Sequence, residues 1–265
     1  MDYYYITRKS LKNIFMWPQL LVPNIVYSFI QIISTGLLFT SYNVRNLFNL
    51  SNLEQSVRNE IANQLTGQAL LQVILSFLVF ALFTFFVTVG IDALKFNMMS
   101  QAVVDKRCSL RKAWRERFKS YFKLGLLKLI IYILTITMAA IVASPLVLFE
   151  ASNYKYLGLI IAIIAALFIK VSMLFSVQYM FLKKEGPMHA FGNSILHMFK
   201  KPLHSIGSWS VVTGFEIFSA ILGIILYNLL GGGLLGTVII SAIYIFYKVW
   251  SEMFLFESLN STLKQ

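Results

Sequence analysis

Six apolar stretches alternate with shorter polar or basic ones along this chain, at 20–39, 69–89, 124–148, 156–180, 206–230 and 234–254. Each is near the roughly 20 residues that a helix needs to cross hydrocarbon. The segment at 106–123 keeps a helical period but divides its faces. Leu110, Ala113, Trp114, Phe118, Tyr121 and Phe122 form one stripe, while Arg111, Lys112, Arg115, Arg117, Lys119 and Lys123 occupy most of the rest. That pattern predicts an interfacial helix, with Ser109 as its N-cap. A second such piece is expected at 3–17, with Leu11, Ile14 and Phe15 opposite Arg8, Lys9 and Lys12, and with Pro18 in the first turn of the following span. The second apolar run continues without a break through Asp92 and Lys95 to about Val104. Ser51 and Glu54 form a capping box ahead of Leu53, Val57, Ile61 and Leu65, which predicts a helix between the first two spans.

The fold expected is all-α: a polytopic membrane protein with six transmembrane helices, amphipathic interfacial helices and one domain over 1–265. The stretch at 40–68 is too short for a separate core. A shift of 77 residues puts Lys106 on Lys183, Arg107 on Lys184, Ala113 on Ala190, Trp114 on Phe191, Phe122 on Phe199 and Lys123 on Lys200. A weaker match puts Ser10 on Ser194, Phe15 on Phe199 and Pro18 on Pro202. Three units follow, 1–104, 105–181 and 182–265, each an interfacial helix and a two-span hairpin in parallel topology.

Composition excludes a water-soluble domain, since hydrophobic residues make up 58% and charged residues 13%, against about a quarter charged in soluble proteins. The net charge of +12 is sorted by membrane side rather than gathered on a nucleic-acid-binding module. Ten basic residues lie from Lys95 to Lys128, whereas Arg45, Arg58 and Lys155 are the basic residues of the opposite side. Positive-inside bias therefore predicts a multi-pass protein of the cell membrane with both termini cytoplasmic. Arg111, Lys112, Trp114, Arg115, Arg117, Lys119, Lys183, Lys184, Lys200 and Lys201 would form a cytoplasmic collar for anionic lipid headgroups or a partner protein. The N-terminal apolar stretch, interrupted by Pro18, Pro23, Asn24 and Gln31, reads as a retained span rather than a cleaved signal. Cys108 is the single cysteine and reads as an inert thiol.

Gly186, Pro187, Ala190, Phe191 and Ser194, lying between two apolar runs, resemble the Gly-Pro-x-x-Ala-x-x-x-Ser pattern of a broad group of six-span proteins. That group includes the membrane domain fused to some bacterial glycerophosphoryl diester phosphodiesterases, and its stand-alone relatives. The resemblance implies a six-span helical domain that accompanies other machinery. It does not carry the phosphodiesterase activity, because no stretch of this sequence could hold the catalytic barrel.

Ionisable residues within apolar runs are the default functional candidates. Asp92 with Lys95, and Lys248 with Glu252, are spaced to neutralise each other along one helix. Lys170 and Glu216 have no such neighbour and sit at similar depth, which predicts an ion pair between the fourth and fifth spans, serving either packing or proton and substrate movement. His189, His197 and His204 lack a completing carboxylate, so no metal or other cofactor is expected. No nucleophile-base or paired-carboxylate arrangement can be placed. The expected role is thus non-enzymatic, that of an accessory or scaffold subunit acting through the collar. The alternative is a small transporter for a lipid-like or hydrophobic substrate, working around Lys170 and Glu216.

Overall fold

The computed structural model describes residues 2–41, 67–148, 155–229 and 233–264, and every regular element among them is helical. In order these are α1 (Tyr3–Met16), a 3-10 turn (Pro18–Leu21), α2 (Val22–Ser41), α3 (Gly67–Val104), α4 (Leu110–Leu148), α5 (Lys155–Ser172), α6 (Ser176–Leu182), α7 (Pro187–Lys200), α8 (Pro202–Leu229) and α9 (Gly233–Leu263). Among the described residues five helices are long and apolar enough to cross a membrane, and a sixth span results if Tyr3–Met16 and Pro18–Ser34 are counted together. The helix expected around Leu53, Val57, Ile61 and Leu65 lies outside the described residues.

Prolines decide where helices break. Trp17 and Lys201 each precede a proline and are driven out of the helical region into nearly the same conformation, φ −129° and ψ 67° at Trp17 and φ −133° and ψ 60° at Lys201. α1 and α7 therefore end there, and the chain starts afresh at Pro18 and Pro202. The segment at 106–123 has no such proline. It was expected as a separate surface helix; instead α4 runs from Leu110 through the third apolar stretch without interruption. Gly125 alone, at about 1 kcal/mol relative to alanine, does not break it.

The fourth apolar run departs from expectation in the other sense, because helix stops at Ser172 and restarts at Ser176. Ser194 of α7 mends that gap. Its hydroxyl donates to the Ser172 carbonyl at 2.6 Å and accepts from the Phe175 amide at 3.1 Å, pairing two backbone groups that the break exposes. The Gly-Pro pattern has a local logic here. Gly186 is the extended N-cap of α7, Pro187 opens its first turn, and Ala190 and Ser194, four apart, form the fully buried stripe.

The described chain falls into two compact units, Met1–Val22 with Ala93–Gln265, and Pro23–Asp92. The smaller holds a shallow hollow of about 60 Å³ between Tyr27, Gln31, Phe80 and Thr84. In the larger, α9 packs against α1, α6 and α8, and α7 against α4, α5, α6 and α8. Its core gathers at one end, where Ala93 to Val103 of α3, Phe175 to Phe181, and Val249 to Leu259 of α9 are buried almost without interruption. Phe96 stacks on Phe256 and lies tilted against Phe181 there. Away from that end the helices expose apolar side chains such as Ile217, Phe218, Ile221 and Ile224 of α8.

Unusually for an apolar protein, that core contains charge. Glu257, 2% exposed, receives Lys9 Nζ and Asn13 Nδ2 of α1, both at 2.6 Å. Lys95, fully buried, donates to Glu252 Oε1 at 2.8 Å, so α3 is joined to α9 by charges that the sequence had assigned to pairs within each helix. Each ion is held by a partner, as burial in a low dielectric demands.

Ser194→Ala is expected to lower the unfolding free energy by about 1–3 kcal/mol by orphaning the Ser172 and Phe175 backbone groups. Thermal unfolding in detergent checks this, and an unchanged midpoint would show that the hydroxyl is not what holds the break together.

Candidate functional site

A cavity of about 370 Å³ opens in the larger unit where α3 ends, α4 begins and α6 ends, a size within the range of small-molecule sites. Tight links build its mouth. Helix α3 closes into Lys106 at φ 51° and α6 into Lys184 at φ 56°, left-handed positions usually given to glycine. Each link turns the chain within a few residues and starts the next helix, at Leu110 after Ser109 and at Pro187 after Gly186. The Ser109 hydroxyl accepts from the Lys112 amide at 3.4 Å, and Gln101 Oε1 accepts from the Ser109 amide at 3.3 Å.

The polar lining comes from both sides. Asn97 and Ser120 exchange hydrogen bonds at 3.3 and 3.4 Å across the α3–α4 seam, and the Gln101 amide donates to Glu116 Oε2 at 3.3 Å. Ser100 Oγ donates to the Phe181 carbonyl at 3.1 Å. Lys112 is neutralised by Asp105 at 3.2 Å, and Glu185 takes Asn193 at 2.8 Å with Lys183 Nζ 4.0 Å away. Lys119, Lys123 and Lys184 also line the cavity; all three are exposed, and none forms an ion pair among the described residues. The hollow thus combines a rim of uncompensated cations with a neutral or acidic floor of amide, hydroxyl and carboxylate groups.

Of the collar residues, the structure brings Lys112, Lys119, Lys123 and Lys184 to this one hollow. Lys183 sits beside it with Glu185. Arg111, Arg115, Lys200 and Lys201 are exposed without a shared contact. The Arg117 guanidinium lies over the Trp114 ring, 3.1 Å from its centre, and 4.7 Å from that of Phe118, so this cation is committed to its own helix. Lys170 and Glu216 are not brought together. Both are exposed, and no ion pair joins them among the described residues. Cys108 is buried, and burial pushes its thiol above the ordinary range, as an inert role requires.

What sequence reading missed is a buried hydrogen-bonded chain behind the break at Ser172. Tyr179 Oη meets His197 Nδ1 at 2.9 Å, His197 Nε2 meets His204 Nδ1 at 2.7 Å, and His204 Nε2 meets Ser258 Oγ at 2.9 Å. Ser208 Oγ lies 2.8 Å from the same Ser258 hydroxyl. With both imidazoles neutral, donors can run from Tyr179 towards Ser258 or the reverse, and every ring nitrogen is satisfied in either register. Phe175 stacks flat on His204 at 5.2 Å. Burial, reinforced by Lys201 and Lys183, pushes His197 down to about 4. The seven-residue spacing of the two histidines was visible in sequence, but not the Tyr179 and Ser258 that complete the chain. No group of three potential metal ligands occurs among the described residues.

No protein-family description matches this sequence, and no characterised protein and no solved structure is detectably similar to it.

The histidine chain predicts a pH dependence. Because His197 titrates near 4 when folded and near 6.5 when unfolded, the unfolded chain binds the extra proton in that window. Stability should be full above about 6.5 and fall as pH drops towards about 4. Unfolding midpoints across that range should slope downward with acid, and less steeply in His197→Gln; identical slopes would mean that His197 is not held neutral.

Proposed function

We propose that this is a non-enzymatic integral membrane protein that binds an anionic lipid headgroup in the hollow between α3, α4 and α6, as an accessory or scaffold component of the membrane. The observation that carries this reading is that Lys119, Lys123 and Lys184, from two separate elements, surround one polar cavity without counter-charges of their own. A phosphate at the rim would meet all three, while Gln101, Asn97 and Ser120 offer hydrogen bonds to a polar headgroup below it. Exposed Phe118 and Phe122 of α4 give acyl chains an apolar surface on the same helix.

In this reading the basic end faces the cytoplasm of a cell membrane and both termini lie on that side, following the positive-inside bias. The three units at 1–104, 105–181 and 182–265 descend from one plan. What supports the plan is the matching conformation at Trp17 and Lys201, the full burial of both Ser10 and Ser194, the exposure of Phe15, Phe122 and Phe199, and the left-handed Lys106 and Lys184. The Lys106 to Lys184 match is a shift of 78 rather than 77, the link before α7 being one residue shorter. The six-span group that the Gly186-Pro187 pattern resembles fits the same architecture, and an accessory role fits with it.

Lysines near an anionic surface contribute about 1 kcal/mol each. The variant Lys119→Gln, Lys123→Gln, Lys184→Gln, placed in neutral-lipid nanodiscs, is therefore expected to bind added phosphatidylglycerol at least about tenfold more weakly than the parent chain at low salt. The difference should shrink at high ionic strength. Equal affinity of the two proteins would remove the hollow as the lipid site.

A further inference from the structure

The hollow between α3, α4 and α6 is graded in exposure and in chemistry. Lys119, Lys123 and Lys184 at its rim are exposed, Ser100, Glu116 and Ser120 are half-buried, and Asn97 and Gln101 are buried. The deeper groups have already spent most of their hydrogens on one another. Asn97 Nδ2 donates to the Ala93 carbonyl at 2.8 Å and to Ser120 Oγ at 3.3 Å, and the Ser120 hydroxyl donates back to Asn97 Oδ1 at 3.4 Å. Ser100 Oγ donates to the Phe181 carbonyl, and Gln101 Nε2 to Glu116 Oε2. One amide hydrogen of Gln101 is left over, whereas the hydroxyl oxygens of Ser100 and Ser120 and, above all, the Glu116 carboxylate keep room to accept. Among the described residues Glu116 receives Gln101 and forms no ion pair. The rim therefore calls for an anion and the floor for donors.

We propose that the lipid taken by this hollow carries hydroxyl groups beyond its phosphate: a phosphatidylglycerol-type headgroup whose glycerol hydroxyls donate to Glu116 while Lys119, Lys123 and Lys184 hold the phosphate. This deepens the lipid-binding reading above and rests on it. The volume of about 370 Å³ leaves room for more than a phosphate group. Charge and hydrogen bonding then separate the candidates. An ammonium headgroup also supplies donors, but it would enter beside Lys112, Lys119, Lys123 and Lys184, where two of the three lining carboxylates, Asp105 and Glu185, already face Lys112 at 3.2 Å and Lys183 at 4.0 Å. A serine headgroup would add a carboxylate next to Glu116, and like charges side by side are costly. A phosphate ester of a plain alcohol would cover the floor and displace its water without offering Glu116 a donor. A single negative charge bearing hydroxyls meets both demands.

Phosphatidylethanol is the discriminating probe, because it has the charge of phosphatidylglycerol with an ethyl group in place of the glycerol. The full chain in phosphatidylcholine nanodiscs is titrated with each lipid at low salt. The parent chain should bind phosphatidylglycerol at least about fivefold more tightly than phosphatidylethanol, since a site built to hydrogen-bond a hydroxyl rejects the analogue lacking it. In Glu116→Ala that preference should fall below about twofold, while phosphatidylethanol binds more tightly, a negative charge having left the side of three lysines. A parent chain that binds the two lipids alike, one that prefers phosphatidylethanolamine, or a Glu116→Ala chain that keeps the preference would overturn the inference and leave lipid binding intact. Should neither anionic lipid bind more tightly than phosphatidylcholine, the lipid-binding reading itself fails, and this inference with it. Glu116→Gln keeps the shape of the side chain and serves where Glu116→Ala does not insert. Its preference should shrink as phosphatidylethanol tightens; a parallel loss of both lipids would make Glu116 a structural residue and overturn the assignment.

Discussion

Glu257 is an almost fully buried carboxylate that Lys9 and Asn13, far off in sequence, reach at 2.6 Å each. The first helix is fixed to the last, 244 to 248 positions away in sequence. Five residues earlier on α9, Glu252 takes Lys95 of α3, and one residue later Ser258 takes the histidine chain from α7 and α8. Three positions within seven residues of one helix thus bind three different sides of the unit. Removing either charge of a buried pair strands the other in a low dielectric, which is why such contacts specify one arrangement more than they add stability.

A polar junction at one end frees the rest of the helices from specifying the fold. Their apolar side chains can remain exposed, as they are along α8 and much of α4, because in hydrocarbon there is no hydrophobic drive to bury them against one another. The hollow with Lys119, Lys123 and Lys184 lies on the flank of the same junction, where Phe181 is both part of the buried core and part of the cavity wall. The Tyr3 ring closes another side by lying against Gly207, where a methyl group would collide with it, and its hydroxyl donates to the Leu203 and His204 carbonyls at 3.3 Å.

Apolar length and proline position were legible in the sequence. Helix to Val104, the Ser109 cap, and fresh starts at Pro18 and Pro202 all follow from local rules. The continuity of α4 was not, because an amphipathic stretch with no breaker looks the same whether it lies on a surface or leads straight into a span. The break at Ser172 was equally hidden, since the hydroxyl that satisfies its backbone groups belongs to Ser194, 22 positions away. Pairing of charges between helices was not legible for a related reason. Spacing along one helix gives a face, but which helix lies opposite is a property of packing; hence Lys95 meets Glu252, while Lys170 and Glu216, both exposed, are not brought together. The collar was read as one surface, whereas the fold gathers Lys112, Lys119, Lys123 and Lys184 and spends Arg117 on Trp114.

The most direct test of the lipid-binding account is photo-cross-linking from inside the hollow in the native membrane. A photoreactive amino acid in place of Ser120, which faces the cavity between Asn97 and Lys123, is irradiated before extraction, and the mass of the adduct is measured. The account predicts a phospholipid adduct enriched in anionic headgroups over their share of the surrounding membrane. A polypeptide adduct, or lipid adducts that merely mirror bulk composition, would contradict it.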